Sequence, residues 1–305
     1  MLRLILLIGM VLTLVTPAAS QDMVAAAGKF IDLLSKNQRQ DALFPFDTEE
    51  RYGFHYFPIS DRKGLPLDEM NAQQEQAAMN LLRTTLNEGT VQKLREIIQL
   101  EVILKALENR KPEDRFRDPG KYYLAIFGIP GEKTIWGWRF EGHHVSFSFS
   151  ASQNKMVSGT PGFLGANPAV IQEGSRKGEE TLKEEREKAF SLLHSLSKEK
   201  RQKAIINSRA PSEIVTGNSR KAAIDGREGL SYAEMSAKEQ QQLLQLVDLY
   251  VRRYTRLFAD NMLKEIQKAG LNNLVFAWAG FEEAGLGKPH YYRIQGPTLI
   301  IEYDN

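Results

Sequence analysis

Nine consecutive residues, Trp136-Gly-Trp-Arg-Phe-Glu-Gly-His-His144, hold two tryptophans, an arginine, a glutamate and two histidines. An imidazole titrates near neutral pH and ligates transition metals, and a neighbouring carboxylate can orient it or share its proton. Strand alternation puts Arg139, Glu141 and His143 on one face, and it sends adjacent imidazoles to opposite faces unless a bulge at Gly142 re-aims them. His143 and His144 are therefore either polar strand residues or a metal or acid–base pair. Pro289-His290-Tyr291-Tyr292-Arg293 repeats the His/Arg theme, and Glu302-Tyr303-Asp304-Asn305 follows it. The expected centre has His143, His144 and His290 around one divalent transition metal (Zn, Fe or Cu) that lowers the pKa of a water. Arg139, Glu141 and Arg293 are then the catalytic residues, the arginines orienting an anionic substrate group. Structural salt bridges to Glu141 and Glu302 explain the two arginines equally well. His194 falls on a Leu-rich helical stripe and is expected to be half-buried, and His55, among the aromatics of Arg51 to Pro58, is expected to pack in the core.

Composition narrows the chemistry. The 305 residues contain 40 Lys+Arg and 38 Asp+Glu, a net charge of +2, too balanced for a nucleic-acid partner. Cysteine is absent, which excludes disulfides, thiolate metal sites and Cys nucleophiles, so a metal would need His, Asp and Glu. No G-x-S-x-G, H-E-x-x-H, phosphate loop or dinucleotide fingerprint occurs, and no cofactor-binding residues are expected.

Arg3, the apolar run Leu4 to Val15, Pro17 and Ala18-Ala19-Ser20 have the layout of a secretory signal peptide over residues 1–20, cleaved before Gln21. The run is too short to span a bilayer, so an extracytoplasmic protein without a stable membrane span is expected, acting on a small-molecule or anionic substrate.

The elements that must position these residues look duplicated. Gly64-Leu65 followed by Glu69-Met70 returns as Gly229-Leu230 followed by Glu234-Met235; Arg139-Phe-Glu-Gly142 returns as Arg293-Ile-Gln-Gly296; Phe30 to Ser35 resembles Phe190 to Ser195. Three pairs in one order predict a first half over 26–170, a charged connection over 171–185 and a second half over 186–305. Each half passes from helices to strands. Asn71 with Gln74, Thr181 with Glu184 and Ser236 with Glu239 are candidate helix caps, and Gly270 a helix stop. Val91, Leu94, Ile97, Ile98 and Val102 form one apolar stripe. Strands are expected over 122–127, 136–140, 145–149 and 156–158, then 274–278, 291–295 and 299–303. The fold class is α+β: two duplicated helix-then-antiparallel-strand halves packed as one pseudo-twofold unit. Gly159 to Pro168, with three Gly, two Pro, Phe163 and Leu164, is expected to be an ordered, partly buried loop.

Phe44-Pro-Phe-Asp47, Gly64-Leu-Pro-Leu67, Trp138 to His144, Phe163 to Pro168, and His290 to Pro297 with Ile301 to Asn305 together resemble the DUF3500 family, over nearly all of the chain from about Phe30. The resemblance implies no activity, since the family's function is unknown. It also implies a further segment after Glu-Tyr-Asp-Asn with more histidines and a Trp-Arg pair, so that this sequence matches a member lacking part of the family's site. Three expectations follow: a metal-assisted hydrolase with its site between the halves, a binding protein without chemistry, or a degenerate member kept for its fold.

Overall fold

The computed structural model describes residues 22–59 and 61–305; the expected signal peptide lies outside them. The first half begins with helices α1 (Met23–Leu33) and α2 (Lys36–Ala42) and strand β1 (Leu43–Phe44). After an irregular crossing come β2 (Leu65–Pro66), α3 (Ala72–Arg83), α4 (Glu88–Leu107), β3 (Tyr123–Phe127), β4 (Ile135–Gly142), β5 (Val145–Ser152), β6 (Lys155–Ser158) and β7 (Gly162–Leu164). The second half has α5 (Lys183–Ser195), α6 (Lys198–Ala204), β8 (Ile205–Asn207), β9 (Leu230–Ser231), α7 (Ala237–Val251), α8 (Arg256–Lys268), β10 (Val275–Gly280), β11 (His290–Gln295) and β12 (Ile300–Asp304). Among the described residues this is a mixed α+β fold of eight α-helices and two sheets.

The first sheet runs β1-β3-β4-β5-β6, with β2 added on β3 and β7 on β5; the second runs β12-β11-β10-β8, with β9 added on β10. The pairings are not all antiparallel as expected: β1 joins β3 and β8 joins β10 in parallel. Each of these short strands follows a helix directly and enters the sheet beside the strand that comes after the next helix pair, a crossover that gives parallel pairing. β7 also makes part of the expected 159–168 loop a strand.

Local chemistry sets the helix starts. Asn71 accepts from Gln73 and Gln74 amides at 3.0 Å while Gln74 returns a bond to Asn71, and Ser236 and Glu239 form the same reciprocal cap. The expected Thr181–Glu184 cap does not form. α5 starts one residue later, with Leu182 at the cap, and leucine has no acceptor to offer. Gly270, at φ +92°, follows the last helical turn of α8, a conformation that favours glycine.

Each sheet packs one face on helices. Trp136, Trp138, Phe140 and Phe147 lie buried with Phe30, Leu81 and Leu94 in one core; Phe276, Trp278 and Tyr292 lie with Leu193, Leu246 and Val247 in the other. Burying each large side chain contributes roughly 1.5–3 kcal/mol. Tyr254, from the second half, belongs to the first core. Its ring lies so close to Gly159 and Gly162 that a Cβ there would come within 2.6 and 2.7 Å of it.

Candidate functional site

The opposite face of each sheet is polar, and an irregular crossing covers it. On β4, Trp136, Trp138 and Phe140 turn to the helices, which leaves Arg139 and Glu141 beneath the crossing that carries Glu50 and Arg62. Arg139 is 1 % exposed; its Nη1 donates to the Glu50 carbonyl at 2.6 Å and its Nη2 to Glu50 Oε1 at 2.5 Å. Arg139 Nε and Arg62 Nη1 each lie 3.2 Å from Glu141 Oε1, and Ser146 donates to Glu141 Oε2 at 3.2 Å. The structural ion pair expected for Arg139 is thus present, within a network of five residues. Burial pushes the Glu141 carboxyl up, against the pull of Arg139 and Arg62.

In the second sheet Arg293 lies on β11, between β12 and β10, with Glu302 its register partner on β12. The expected Arg293–Glu302 ion pair does not form. Glu302 is taken instead by the Val215 amide at 2.6 Å, the Thr216 amide at 3.1 Å, the Thr216 hydroxyl and the Tyr291 hydroxyl at 2.7 Å. Arg293 is buried, and its Nε has no hydrogen-bond partner. Nearby, burial and then Glu213 and Glu302 raise Asp304 to about 6, and burial together with Glu213, Asp304 and Glu302 raises Tyr56 to about 12.

His143 and His144 are not strand residues. Gly142 pairs with Val145, making the two histidines the centre of a two-residue hairpin turn. No bulge occurs at Gly142; that glycine is needed because the Tyr122 ring lies where a Cβ would be, 2.3 Å away. His144 has φ +60°, at the turn position where Gly or Asn is usual. The imidazoles consequently sit together, ring centroids 3.9 Å apart, instead of pointing to opposite faces.

His143 Nδ1 contacts the buried carboxylate of Glu101 on α4. Arg117 Nη1 lies 3.2 Å from Nδ1 and 3.5 Å from Nε2 of the same ring, while Arg117 Nε and Nη2 hold Glu108 at 2.9 and 2.7 Å. Tyr122 donates to the His143 carbonyl at 2.9 Å. The His144 amide donates to the Tyr56 carbonyl at 2.9 Å, and its carbonyl accepts from Gly165 at 2.8 Å. Its Nδ1 is buried without a partner, and burial, then His143 and Arg117, lower its pKa to about 3.

His290 lies elsewhere. It is 1 % exposed, stacked on Trp278 and Tyr303 with Phe190 at 4.7 Å, and its Nδ1 is 3.2 Å from the Lys288 carbonyl. It shares no partner with His143 or His144. Among the described residues no group of three His, Asp or Glu side chains is placed to hold a metal ion. His194 is exposed rather than half-buried, and its Nε2 lies 2.7 Å from the Glu282 carbonyl. His55 is half-buried beside Phe57 rather than in the core, and burial lowers its pKa.

Sequence reasoning missed Glu101, Arg117, Arg62 and Tyr56. Glu101 carried a signal: it continues the spacing of Leu94, Ile97 and Ile98, and a carboxylate on an apolar stripe needs a partner. Val102, expected inside, is 52 % exposed because Glu101 takes the inward position.

This arrangement defines an α+β protein with two helix-backed sheets, a carboxylate–imidazole pair at one hairpin and a buried ionic network under the first crossing. The chain belongs to the DUF3500 family, described as a protein of unknown function, whose model matches residues 16–305. Comparison with curated proteins and with solved structures finds no match. Among the described residues, no helix is long and apolar enough to cross a membrane.

Proposed function

We propose that this protein is an exported hydrolase whose general base is His143, oriented by Glu101, and that its two halves are copies of one unit related by a pseudo-twofold axis. The contact between the buried Glu101 carboxylate and His143 Nδ1 carries the proposal. A carboxylate there keeps the proton on Nδ1, leaves the Nε2 lone pair to deprotonate a water, and stabilises the imidazolium that forms. Arg117, beside the ring, supplies a positive charge for an anionic substrate group. Arg139 and Glu141 hold the strand that leads to the turn. The three-histidine metal centre does not fit: ligands must converge within about 2 Å of one point, and His290 is packed among Phe190, Trp278 and Tyr303. Export rests on Arg3, the apolar run and Ala18-Ala19-Ser20. Duplication is supported by the shared element order and by parallel pairing of β1 with β3 and of β8 with β10.

One observation favours binding without chemistry. Arg117 Nη1, 3.5 Å from Nε2, can occupy the lone pair a base needs. A panel of chromogenic carboxylic and phosphate esters separates the two readings. Catalysis predicts turnover that falls by about 10²–10⁴ in kcat in His143→Gln and Glu101→Gln, with circular dichroism unchanged. Turnover unaffected by His143→Gln removes this residue as the base. N-terminal sequencing of protein recovered outside the cytoplasm should begin at Gln21.

A further inference from the structure

Where the halves meet, α4, α5 and α7 enclose a cleft of about 910 Å³. Glu185, 1 % exposed, lies among its lining residues. Its two oxygens accept from Lys93 Nζ at 2.9 and 3.0 Å, and Arg253 Nη2 reaches the first at 2.9 Å. Burial opposes ionisation of Glu185, but Arg253 and Lys93 more than offset it and hold the carboxyl below its usual range. One carboxylate thus faces two cations. The Arg253 side chain is 11 % exposed, its guanidinium lies 4.3 Å over the Tyr250 ring, and its Nε is buried without a hydrogen-bond partner. Arg252, also in the lining, is already paired with Asp248 and Asp260, which leaves the cations Lys93, Lys188 and Arg253 against the carboxylates Glu184 and Glu185, a positive excess. A buried unbalanced charge and an unmade bond are both unfavourable until an anion supplies acceptors.

We propose that this cleft binds a compact oxyanion, a carboxylate or a phosphate group, which takes the remaining donors of Lys93 and Arg253 beside Glu185. Gln241, also in the lining, offers an amide to the rest of such a ligand. None of the partners of His143 lines the cleft, so the site is separate from the proposed base. Lys93 comes from the first half and Arg253 from the second, and a bound oxyanion ties the two together.

Isothermal titration of the full chain with sodium phosphate and, separately, sodium acetate, each against sodium chloride at matched ionic strength, tests the site and distinguishes the two sources. A saturable isotherm is expected with at least one of them. Lys93→Gln should weaken it by about tenfold or more, and Glu185→Gln, which removes the competing carboxylate, should tighten it by a similar factor. Lys93 is partly exposed on a helix, so Lys93→Gln should fold even if Glu185→Gln does not, and Lys93→Arg should restore much of the binding. No saturation above chloride with either salt, or equal binding by Lys93→Gln, overturns the proposal.

Discussion

Leu86 and Tyr254 face each other in a single antiparallel bridge between the halves. The Asn87 amide donates to the Arg253 carbonyl at 3.0 Å, and the Thr255 amide donates to the Thr85 carbonyl at 2.8 Å. Asn87 and Thr255 are the N-caps of α4 and α8, and Thr85 and Arg253 each stand two residues before them. Each hydrogen bond is the image of the other, as a twofold rotation requires of equivalent segments. Any antiparallel bridge makes such a reciprocal pair; that this one joins the N-cap segments of α4 and α8 is what the proposed pseudo-twofold axis would require.

Asn87 has two duties at this point. Its Oδ1 caps α4 by accepting from Thr90 at 2.7 Å, and its Nδ2 donates to the Arg252 carbonyl across the junction. Asn87→Ala should cost about 1–2 kcal/mol in urea denaturation. Asn87→Ser keeps a cap but loses the crossing bond, and should recover part of that loss. Full recovery by serine would show that the crossing bond adds nothing.

The network under the first crossing should behave as a buried ionic cluster. Glu141→Gln leaves the guanidiniums of Arg62 and Arg139 without the carboxylate they share, and should destabilise by about 3–5 kcal/mol in chemical denaturation. A cost below about 1 kcal/mol, the range of exposed pairs, would contradict that role.

Asp304 makes the opposite demand on pH from a paired carboxylate. Its folded pKa, about 6, lies above the unfolded value of about 3.9. The folded state therefore holds the proton more tightly, and the contribution is fully present below about pH 3.9 and is lost as pH rises through about 6. Asp304→Asn should be more stable than the parent at pH 8, by about 1–3 kcal/mol, with the gain vanishing near pH 4. Urea midpoints that differ equally at both pH values would show that the carboxyl is not destabilised by its surroundings.

The long helices and the antiparallel hairpin strands were legible because local rules fix them, whereas the short strands β1, β7 and β8, which pair with distant strands, were not. Reciprocal caps at Asn71 and Ser236 and the alternation of Val145, Phe147 and Phe149 need no distant partner. The ion partner of Arg139 was half legible: Glu141 is its strand neighbour, but Glu50 and Arg62 arrive on a crossing without periodicity. The histidine cluster was misjudged for a geometric reason. Alternation was extended through Gly142 into residues that form the turn, where side-chain direction follows turn geometry instead. His290 was grouped with His143 by residue type, although its position alternates with Tyr292 and Ile294 on the core face of β11. The cleft at Glu185 is built from three helices of both halves, a meeting that no local pattern encodes.

His144 concentrates two costs in one residue: left-handed backbone at φ +60° and a buried Nδ1 without a partner. Burial, followed by His143 and Arg117, lowers its pKa to about 3, below the unfolded value of about 6.5. A histidine depressed in this way contributes stability above about pH 6.5, and the contribution is lost as pH falls toward about 3, because the unfolded chain takes the proton first. Asparagine tolerates φ near +60° and does not titrate. His144→Asn should therefore match the parent within about 1 kcal/mol at pH 8. It should then gain on it during acidification by as much as about 1.4 kcal/mol per pH unit below pH 6.5. His144→Ala keeps the backbone strain and loses the ring, and should be the least stable of the three at pH 8. Urea midpoints at pH 8 and pH 5 read both effects. Parallel pH profiles for His144→Asn and the parent would show that this imidazole is free to protonate in the folded protein, and its neutral, buried state beside His143 would have to be abandoned.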